Sequence, residues 1–281
     1  MTRQMNLDSL CTCGSNFTVK ECCFKTIDTT PKGPKTNYAH PKCYASELCD
    51  CSQTISKEHY FSKSVMDLWG KEAKVKAPFI KGDGKFLKLS SLSAKILCER
   101  HNHALSSLDE LAKKFFEFVL FKTEYEFLVI RGADLERWLL KVMCGFIATG
   151  YAQTITGNFI TAKLPPLAQL NVLFGRSDLP NSLGLVIPTQ DGNGLPNELG
   201  VIIHADDMNT VLFGEVRLNY IRLLLFLQDI QEMKKNLKNI SHRPECFGLT
   251  VNGVYREVHF GWGKGDYVTV NITIKNQLTE I

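Results

Sequence analysis

The residues most able to do chemistry are the cysteines, which are concentrated at the start of the chain. Eight of the ten cysteines lie within the first 98 residues, and two, Cys144 and Cys246, lie beyond them. Disulfides are rare in reducing compartments, whereas thiolates are preferred ligands of zinc, so this crowding favours metal binding. Cys144 and Cys246 occur in apolar runs, and we expect both to be small, buried hydrophobic residues.

The first group of cysteines has the spacing of a zinc site. Its four candidate ligands are Cys11, Cys13, Cys22 and Cys23. Four thiolates can complete a tetrahedral site, and Gly14 permits the tight turn that brings backbone amides towards the sulfurs. The stretch resembles the SEC-C motif in its Cys-x-Cys-Gly-Ser and Lys-x-Cys-Cys segments, although Asn16 and Phe17 depart from the usual small or basic residues. The resemblance implies binding of zinc and of a protein partner, without catalysis.

A second group of chemically able residues lies between residues 43 and 103. The sulfur and imidazole candidates are Cys43, Cys51, Cys98 and His101, with Cys49 as a rival to Cys51. A carboxylate–histidine pair, Glu58 and His59, lies between them, and Asn102 follows at the end. The thiols suit zinc, whereas oxygen donors suit a hard ion such as Mg²⁺. The segment therefore predicts two kinds of metal chemistry side by side.

The local sequence predicts the elements that must position these residues. We expect a strand over residues 54–63, a short helix over Ser64–Leu68, and a hairpin over residues 77–89 about a Gly-Asp-Gly turn. A strong helix then opens near Cys98, for which Ser106 is the predicted N-cap. Residues 27–42 contain three prolines and no periodicity, which predicts a linker.

Together these residues resemble the HNH (ββα-metal) nuclease family. The resemblance rests on Glu-His at a strand end and on Leu-Cys-x-x-His-Asn at a helix start. It implies a β-hairpin and a helix that hold a divalent ion. By the same resemblance, His59 is the general base, Asn102 and Glu58 bind catalytic Mg²⁺ or Mn²⁺, and the zinc ligands are Cys43, Cys51, Cys98 and His101. The consecutive letters of His101, Asn102 and His103 are a coincidence, because the family's name refers to separated positions.

The chain departs from the family pattern in two ways. Ser93 occupies the position of the middle asparagine, which normally orients the catalytic histidine, and the stretch from His59 to Cys98 is longer than in compact members. These departures imply weakened catalysis or a different set of supporting contacts. They favour the rival interpretation of a zinc scaffold that binds nucleic acid or a protein without cutting.

Composition and charge agree with a nucleic-acid partner. The chain of 281 residues is 44% hydrophobic and 22% charged, which is ordinary for a globular protein. Residues 1–103 hold 16 basic and 10 acidic residues, a net of +6, while the remainder has a net of −2. A basic first third suits a phosphate backbone. With no signal-peptide pattern and no run long enough to span a bilayer, we expect a cytoplasmic protein without a membrane partner.

The rest of the chain is predicted to be helical and then rich in strands. Residues 132–150 have helical spacing, with Asp134 as a cap and Trp138, Leu139 and Met143 in the core. Strand patterns follow, including a hairpin about Asn252-Gly253 and an alternating segment from Asp266. His204, Asp206 and Asp207 are interpreted as a polar cluster at a loop end.

The resulting prediction is an α+β protein in four parts. These are a SEC-C-like zinc motif (1–26), a linker (27–42), an HNH-type ββα-metal core (43–125), and a helical then β-rich domain of unknown role (126–281). We expect about two structural zinc ions and a DNA endonuclease activity. By analogy with bacterial relatives, the resemblance implies restriction or anti-phage defence.

Overall fold

The computed structural model describes residues 2–59, 61–68, 70–75, 85–154, 159–160, 164–188, 199–206, 208, 210–218, 221–229, 240–251, 253–262 and 267–271. Within these ranges the chain forms four α-helices and fifteen strands, which confirms the α+β class. The predicted Gly-Asp-Gly turn, Asp207 and Asn252 lie outside the described residues.

Two antiparallel strands and a helix form the unit that carries the candidate site. Strand β2 (Ile55–His59) pairs with β5 (Ser93–Cys98), so that His59 lies opposite Ser93. Helix α2 (Glu99–Val119) continues directly from β5. The predicted strand is therefore present in shorter form, and its order with the helix is the expected strand, strand, helix.

Helix α2 begins seven residues earlier than the predicted cap at Ser106. Cys98 is extended and occupies the N-cap position, and Glu99 places an acidic side chain in the first turn, where the helix dipole favours it. Ser106 lies inside the helix, and its hydroxyl donates to the carbonyl of His103. The prediction of Ser106 as N-cap is therefore wrong.

The remaining small elements lie near the predicted ones. The short helix α1 (Lys63–Met66) starts one residue before the predicted helix. Strand β3 (Glu72–Val75) pairs antiparallel with β4 (Lys85–Lys88), so a hairpin is present, but its first strand lies earlier than expected.

Helix α3 (Gly132–Thr149) is the central element of the fold. It contacts helix α2, strand β5 and the C-terminal sheets, and Trp138, Leu139 and Met143 are buried on it as predicted. At Gly214 a Cβ atom would lie 2.6 Å from the sulfur of Met143, so the glycine allows the close approach of the helix to the sheet. The stretch before α3 is strand β6 (Phe127–Arg131).

The predicted β-rich region contains two main sheets. The larger contains β7 (Gln153–Thr154), β8 (Gly184–Pro188), β9 (Leu199–Ala205), β10 (Val211–Leu218), β11 (Ile221–Phe226) and β12 (Ile240–His242). Its strand order is β12-β8-β11-β10-β9-β7, and all pairs are antiparallel except β7 with β9. Helix α4 (Leu167–Leu173) packs against α3.

The smaller sheet pairs a hairpin from the C-terminal part of the chain with strand β6 from its middle. Strand β13 (Cys246–Val251) and β14 (Val254–Gly261) form the predicted hairpin, and β14 also pairs in parallel with β6. Strand β1 (Thr2–Asn6) pairs with β15 (Tyr267–Asn271), which lies in the predicted alternating segment.

One hydrophobic core extends through most of these elements. Its buried members run from Leu7 to Phe260. Residues 27–42 contain no helix or strand, yet Thr29 is fully buried and its hydroxyl donates to the carbonyl of Leu173. Among the described residues, no helix is both long and apolar enough to cross a bilayer.

Candidate metal centres and catalytic site

The first cysteine group converges as its spacing predicts. The candidate ligand atoms of Cys11, Cys13, Cys22 and Cys23 lie within 4.8 Å of one another. The sulfurs of Cys13 and Cys22 are 3.4 Å apart, and those of Cys22 and Cys23 are 3.8 Å apart. Four thiolates at about 2.3 Å from a tetrahedral zinc ion would be separated by roughly 3.8 Å. Gly14, directly after Cys13, has a φ of 74°, and its N–H donates to the carbonyl of Cys11 in the expected tight turn. The set could therefore hold a structural metal ion such as zinc.

The second group converges on one histidine nitrogen. The Nδ1 atom of His101 lies 3.5 Å from the sulfur of Cys43, 3.8 Å from that of Cys51 and 3.2 Å from that of Cys98. All four residues are buried. Cys98 is the last residue of β5, and His101 lies in the first turn of α2. An ion bound here would therefore link the helix to the segment that carries Cys43. This set could also hold zinc.

Within each set the thiols oppose one another's ionisation. The hydrogen bond with Cys43 lowers the pKa of Cys98, and the same bond, together with burial, raises the pKa of Cys43. Cys11 and Cys23 form a similar pair, in which the pKa of Cys11 is lowered and that of Cys23 is raised. Negative charge on one sulfur thus opposes ionisation of its neighbour, and a bound divalent ion would remove that conflict.

The structure distinguishes the two rival cysteines of the second set. Cys51 is buried beside His101, whereas Cys49 is exposed and has a φ of 50° at the end of a 3₁₀ turn. Cys49 belongs to neither metal group among the described residues. Cys51 is therefore the ligand that the geometry supports.

Two of the three predicted catalytic residues, Asn102 and Glu58, lie close together. The half-buried side chain of Asn102 is near enough to the carboxylate of Glu58, which is 6% exposed, to lower its pKa. Burial raises the pKa of Glu58, although Lys141, on α3, opposes the shift. Strand β2 and helix α2 are thus connected at the residue directly before His59. Two oxygen donors that could take part in a hard metal site are brought together there.

A buried lysine that the sequence did not single out completes this cluster. The Nζ atom of Lys141 lies 2.8 Å from Oε1 of Glu58 and 2.5 Å from Oδ2 of Asp109. The hydroxyl of Ser62 donates to Asp109 and accepts a 2.7 Å hydrogen bond from the indole of Trp138. Burial would lower the pKa of Lys141, but the two carboxylates raise it above its ordinary value. The ammonium group is therefore charged and shared between two acids.

His59 is half-buried and has one free nitrogen. Its Nε2 atom is buried without a hydrogen-bond partner in the described structure. Burial lowers the pKa of His59, and a hydrogen bond to the backbone of Ser90 opposes this shift. The hydroxyl of Ser93, which lies opposite His59 in the strand pair, donates to the carbonyl of Ser90 at 3.5 Å.

Exposed lysines are frequent in the stretch that contains His59. Among the described residues from 55 to 98, six lysines are exposed: Lys57, Lys63, Lys71, Lys85, Lys88 and Lys95. The exposed acids of the same stretch are Asp67, which pairs with Lys63 at 2.7 Å, and Glu72. Positive charge thus predominates among the exposed side chains of this stretch, and Lys57 and Lys63 lie close enough to His59 to lower its pKa.

The two cysteines beyond residue 98 and the predicted loop-end cluster lie outside the two cysteine-rich sets. Cys144 is buried as expected, but Cys246 is only partly buried and lies beside Glu257 and His259, so its prediction as a simple core residue is wrong. The carboxylate of Asp206 accepts the backbone N–H groups of residues 208 and 210, consistent with a loop-end role, while His204 stacks on Phe213 with ring centroids 4.1 Å apart.

A signal for Lys141 was present in the sequence. It is the one charged residue between Trp138 and Gly150, a stretch otherwise composed of apolar and small residues. A charge at the centre of an apolar helical run needs a buried partner. The sequence could not identify Glu58 and Asp109 as those partners, because the three residues are far apart along the chain.

Comparison with known proteins yields no assignment. The chain matches no family model, and no curated protein or solved structure is similar to it.

Proposed function

We propose that the chain is a metal-dependent HNH-type endonuclease that hydrolyses DNA phosphodiester bonds. The observation that carries the proposal is the closeness of Asn102 to Glu58, the residue directly before His59. The start of helix α2 thus lies against the end of strand β2; by the HNH resemblance, the base and the metal-binding oxygens would act at this junction.

His59 has the properties of a general base in this proposal. Because burial lowers its pKa, the imidazole is neutral near pH 7 and can remove a proton from an attacking water. Its unpartnered Nε2 atom is the nitrogen available for that transfer, while the backbone of Ser90 orients the ring. Asn102 and Glu58 would hold Mg²⁺ or Mn²⁺, which when bound would stabilise charge on the scissile phosphate and the leaving oxygen.

The exposed lysines support a nucleic-acid substrate. The described residues from 55 to 98, which include the strand that ends at His59, carry six exposed lysines against two exposed acids. Such a surface can bind phosphates without reading sequence. The two cysteine-rich sets, loaded with zinc, would keep this surface and the helix in fixed positions. Ten free cysteines suit a reducing compartment such as the cytoplasm, and a role in restriction or anti-phage defence rests on the family resemblance.

The direct test is digestion of plasmid DNA, linear DNA and RNA with Mg²⁺ or Mn²⁺. We expect cleavage by the wild-type chain and a loss of at least about 100-fold in His59→Ala, the usual contribution of a general base. His103→Ala is the matched control, because His103 is exposed on α2 outside the site. Zinc content must be equal in all three proteins. No cleavage of any substrate by the wild type would refute the nuclease proposal.

A non-catalytic scaffold is the second candidate, and Lys141 is the observation that favours it. The ammonium group already neutralises Glu58 and Asp109, so a divalent ion would have to compete with it. In this case the lysine-rich surface would bind nucleic acid, and the zinc motif or the C-terminal region would bind a protein partner. Binding of DNA at wild-type affinity by His59→Ala, with no cleavage by the wild type, would support the scaffold.

A further inference from the structure

A third group of metal-ligand side chains lies on the small sheet, away from the two cysteine-rich sets. One candidate ligand atom from each of Cys246, Glu257 and His259 lies within 4.8 Å of the others. Cys246 on β13 is directly opposite His259 on β14 in the antiparallel register. Glu257 lies two residues before His259, on the same face of the strand. The three side chains are thus held by paired strands and not by a loop.

One nitrogen of the His259 imidazole has no hydrogen-bond partner among the described residues, which suggests that it binds a ligand. His259 is fully buried, and its Nε2 atom lies 3.1 Å from Oε2 of Glu257. When Glu257 is ionised, Nε2 carries the proton and donates it, which leaves a lone pair on Nδ1. The Nδ1 atom is buried and has no hydrogen-bond partner in the described structure. Leaving such an atom unsatisfied costs free energy.

The carboxylate that holds the ring is itself held in place. The hydroxyl of Tyr255 donates to Oε1 of Glu257 at 2.6 Å. This contact depends on Gly248, since a Cβ atom there would lie 2.4 Å from the Tyr255 oxygen. A carboxylate that fixes a histidine through one nitrogen, so that the other can bind an ion, is the usual support of a metal-binding histidine.

We propose that Cys246 and His259 bind a zinc-like divalent ion, with Glu257 as the residue that positions the imidazole. The ion would bind the sulfur of Cys246 and the Nδ1 atom of His259, and the thiol proton would pass to solvent on binding. Cys246 is partly exposed, so an ion and its remaining water ligands can reach the site. With the ion bound, every polar side-chain atom of Tyr255, Glu257 and His259 has a partner.

Metal content of the intact protein tests this site. After equilibration with excess zinc and removal of free metal, we expect the wild-type chain to retain one more ion than Cys246→Ser or His259→Gln, as measured by mass spectrometry of the metal. Cys49→Ser, which changes an exposed thiol outside all three groups, should match the wild type. Glu257→Gln should bind the third ion about 10–100-fold more weakly.

The two cysteine-rich sets provide an internal check on folding. A variant that keeps two zinc ions per chain but lacks the third has lost the site and not the fold. Added Co²⁺ should give a thiolate charge-transfer band in wild-type protein that holds only two zinc ions per chain, and this band should be missing in Cys246→Ser. Equal metal content in the wild type, Cys246→Ser and His259→Gln would overturn the proposal. So would alkylation of Cys246 by iodoacetamide at a rate that added zinc does not change.

Discussion

The Nζ atom of Lys141 lies 2.8 Å from the carboxylate of Glu58, and the lysine side chain is only 4% exposed. Oδ2 of Asp109 lies 2.5 Å from the same ammonium nitrogen. A single buried cation thus joins helix α3 to strand β2 and helix α2. It also occupies the position between oxygen donors where a divalent ion would otherwise be expected. Lys141 therefore acts as an internal counter-ion for the candidate site.

Replacement of Lys141 by methionine should destabilise the fold and create a demand for metal. The change leaves the buried carboxylate of Glu58 and the partly exposed carboxylate of Asp109 without a cation, and the loss of one partner of a buried pair typically costs about 3–5 kcal/mol. We expect a matching decrease in the free energy of unfolding measured by urea denaturation. Millimolar Mn²⁺ should raise the thermal midpoint of Lys141→Met more than that of the wild type, because the ion can replace the missing charge.

Lys63→Met is the control for this experiment. The Nζ atom of Lys63 lies 2.7 Å from Oδ2 of Asp67, a distance similar to that between Lys141 and Glu58, but both side chains of this pair are more than half exposed. Exposed pairs contribute about 0–1 kcal/mol, so we expect a small change and no response to Mn²⁺. An Mn²⁺ response of equal size in Lys63→Met and Lys141→Met would show that the ion does not bind beside Glu58.

The pH dependence of cleavage should report the titration of His59. A general base acts in its neutral form, so the rate rises as pH increases through its pKa and then becomes constant. Burial lowers the pKa of His59, which places the midpoint below the ordinary value of about 6.5. We expect the rate, measured from about pH 5 to 8, to be near its maximum at neutral pH. A midpoint well above the ordinary histidine value would assign the base to another group.

Residue types and spacing predicted which cysteines come together in two groups, because both signals are visible in the local sequence. Cysteine and histidine have few roles that require them to be crowded, so Cys11, Cys23, Cys43 and Cys98 could be assigned to sets before their geometry was known. The strand-to-helix passage at Cys98 was also predictable. Its exact start was not, since Ser106 offers a capping side chain that tertiary contacts leave unused.

Contacts between distant segments could not be predicted in the same way. Strand β6 pairs in parallel with β14, more than 120 residues later, and nothing in Phe127–Arg131 distinguishes such a strand from a connecting segment. The pairing of Lys141 with Glu58 depends on the same long-range packing. The alternation of Tyr255, Glu257 and His259 was readable as one strand face, but its partner Cys246 became evident only with the register of the hairpin.

Substitution of Cys51 should remove one metal ion and destabilise the protein, whereas substitution of Cys49 should do neither. Cys51 lies 3.8 Å from Nδ1 of His101, inside the second set, and Cys49 is exposed. Loss of a structural metal belongs to the rare changes that cost more than about 4 kcal/mol. We expect Cys51→Ser to contain one zinc ion fewer and to unfold at a clearly lower temperature. Equal zinc content in Cys51→Ser and Cys49→Ser would remove the second set from the assignment.

Neutralising the lysines beside His59 should weaken DNA binding in a salt-dependent manner. Lys57 on β2 and Lys95 on β5 are both exposed close to the site. Each phosphate contact that is lost should reduce the slope of log K against log salt by about one, so the double change to glutamine should reduce it by about two. Lys113→Gln, on the exposed side of α2 and paired with Glu117, is the control. An equal effect of Lys113→Gln on the slope would mean that binding depends on net charge and not on this surface.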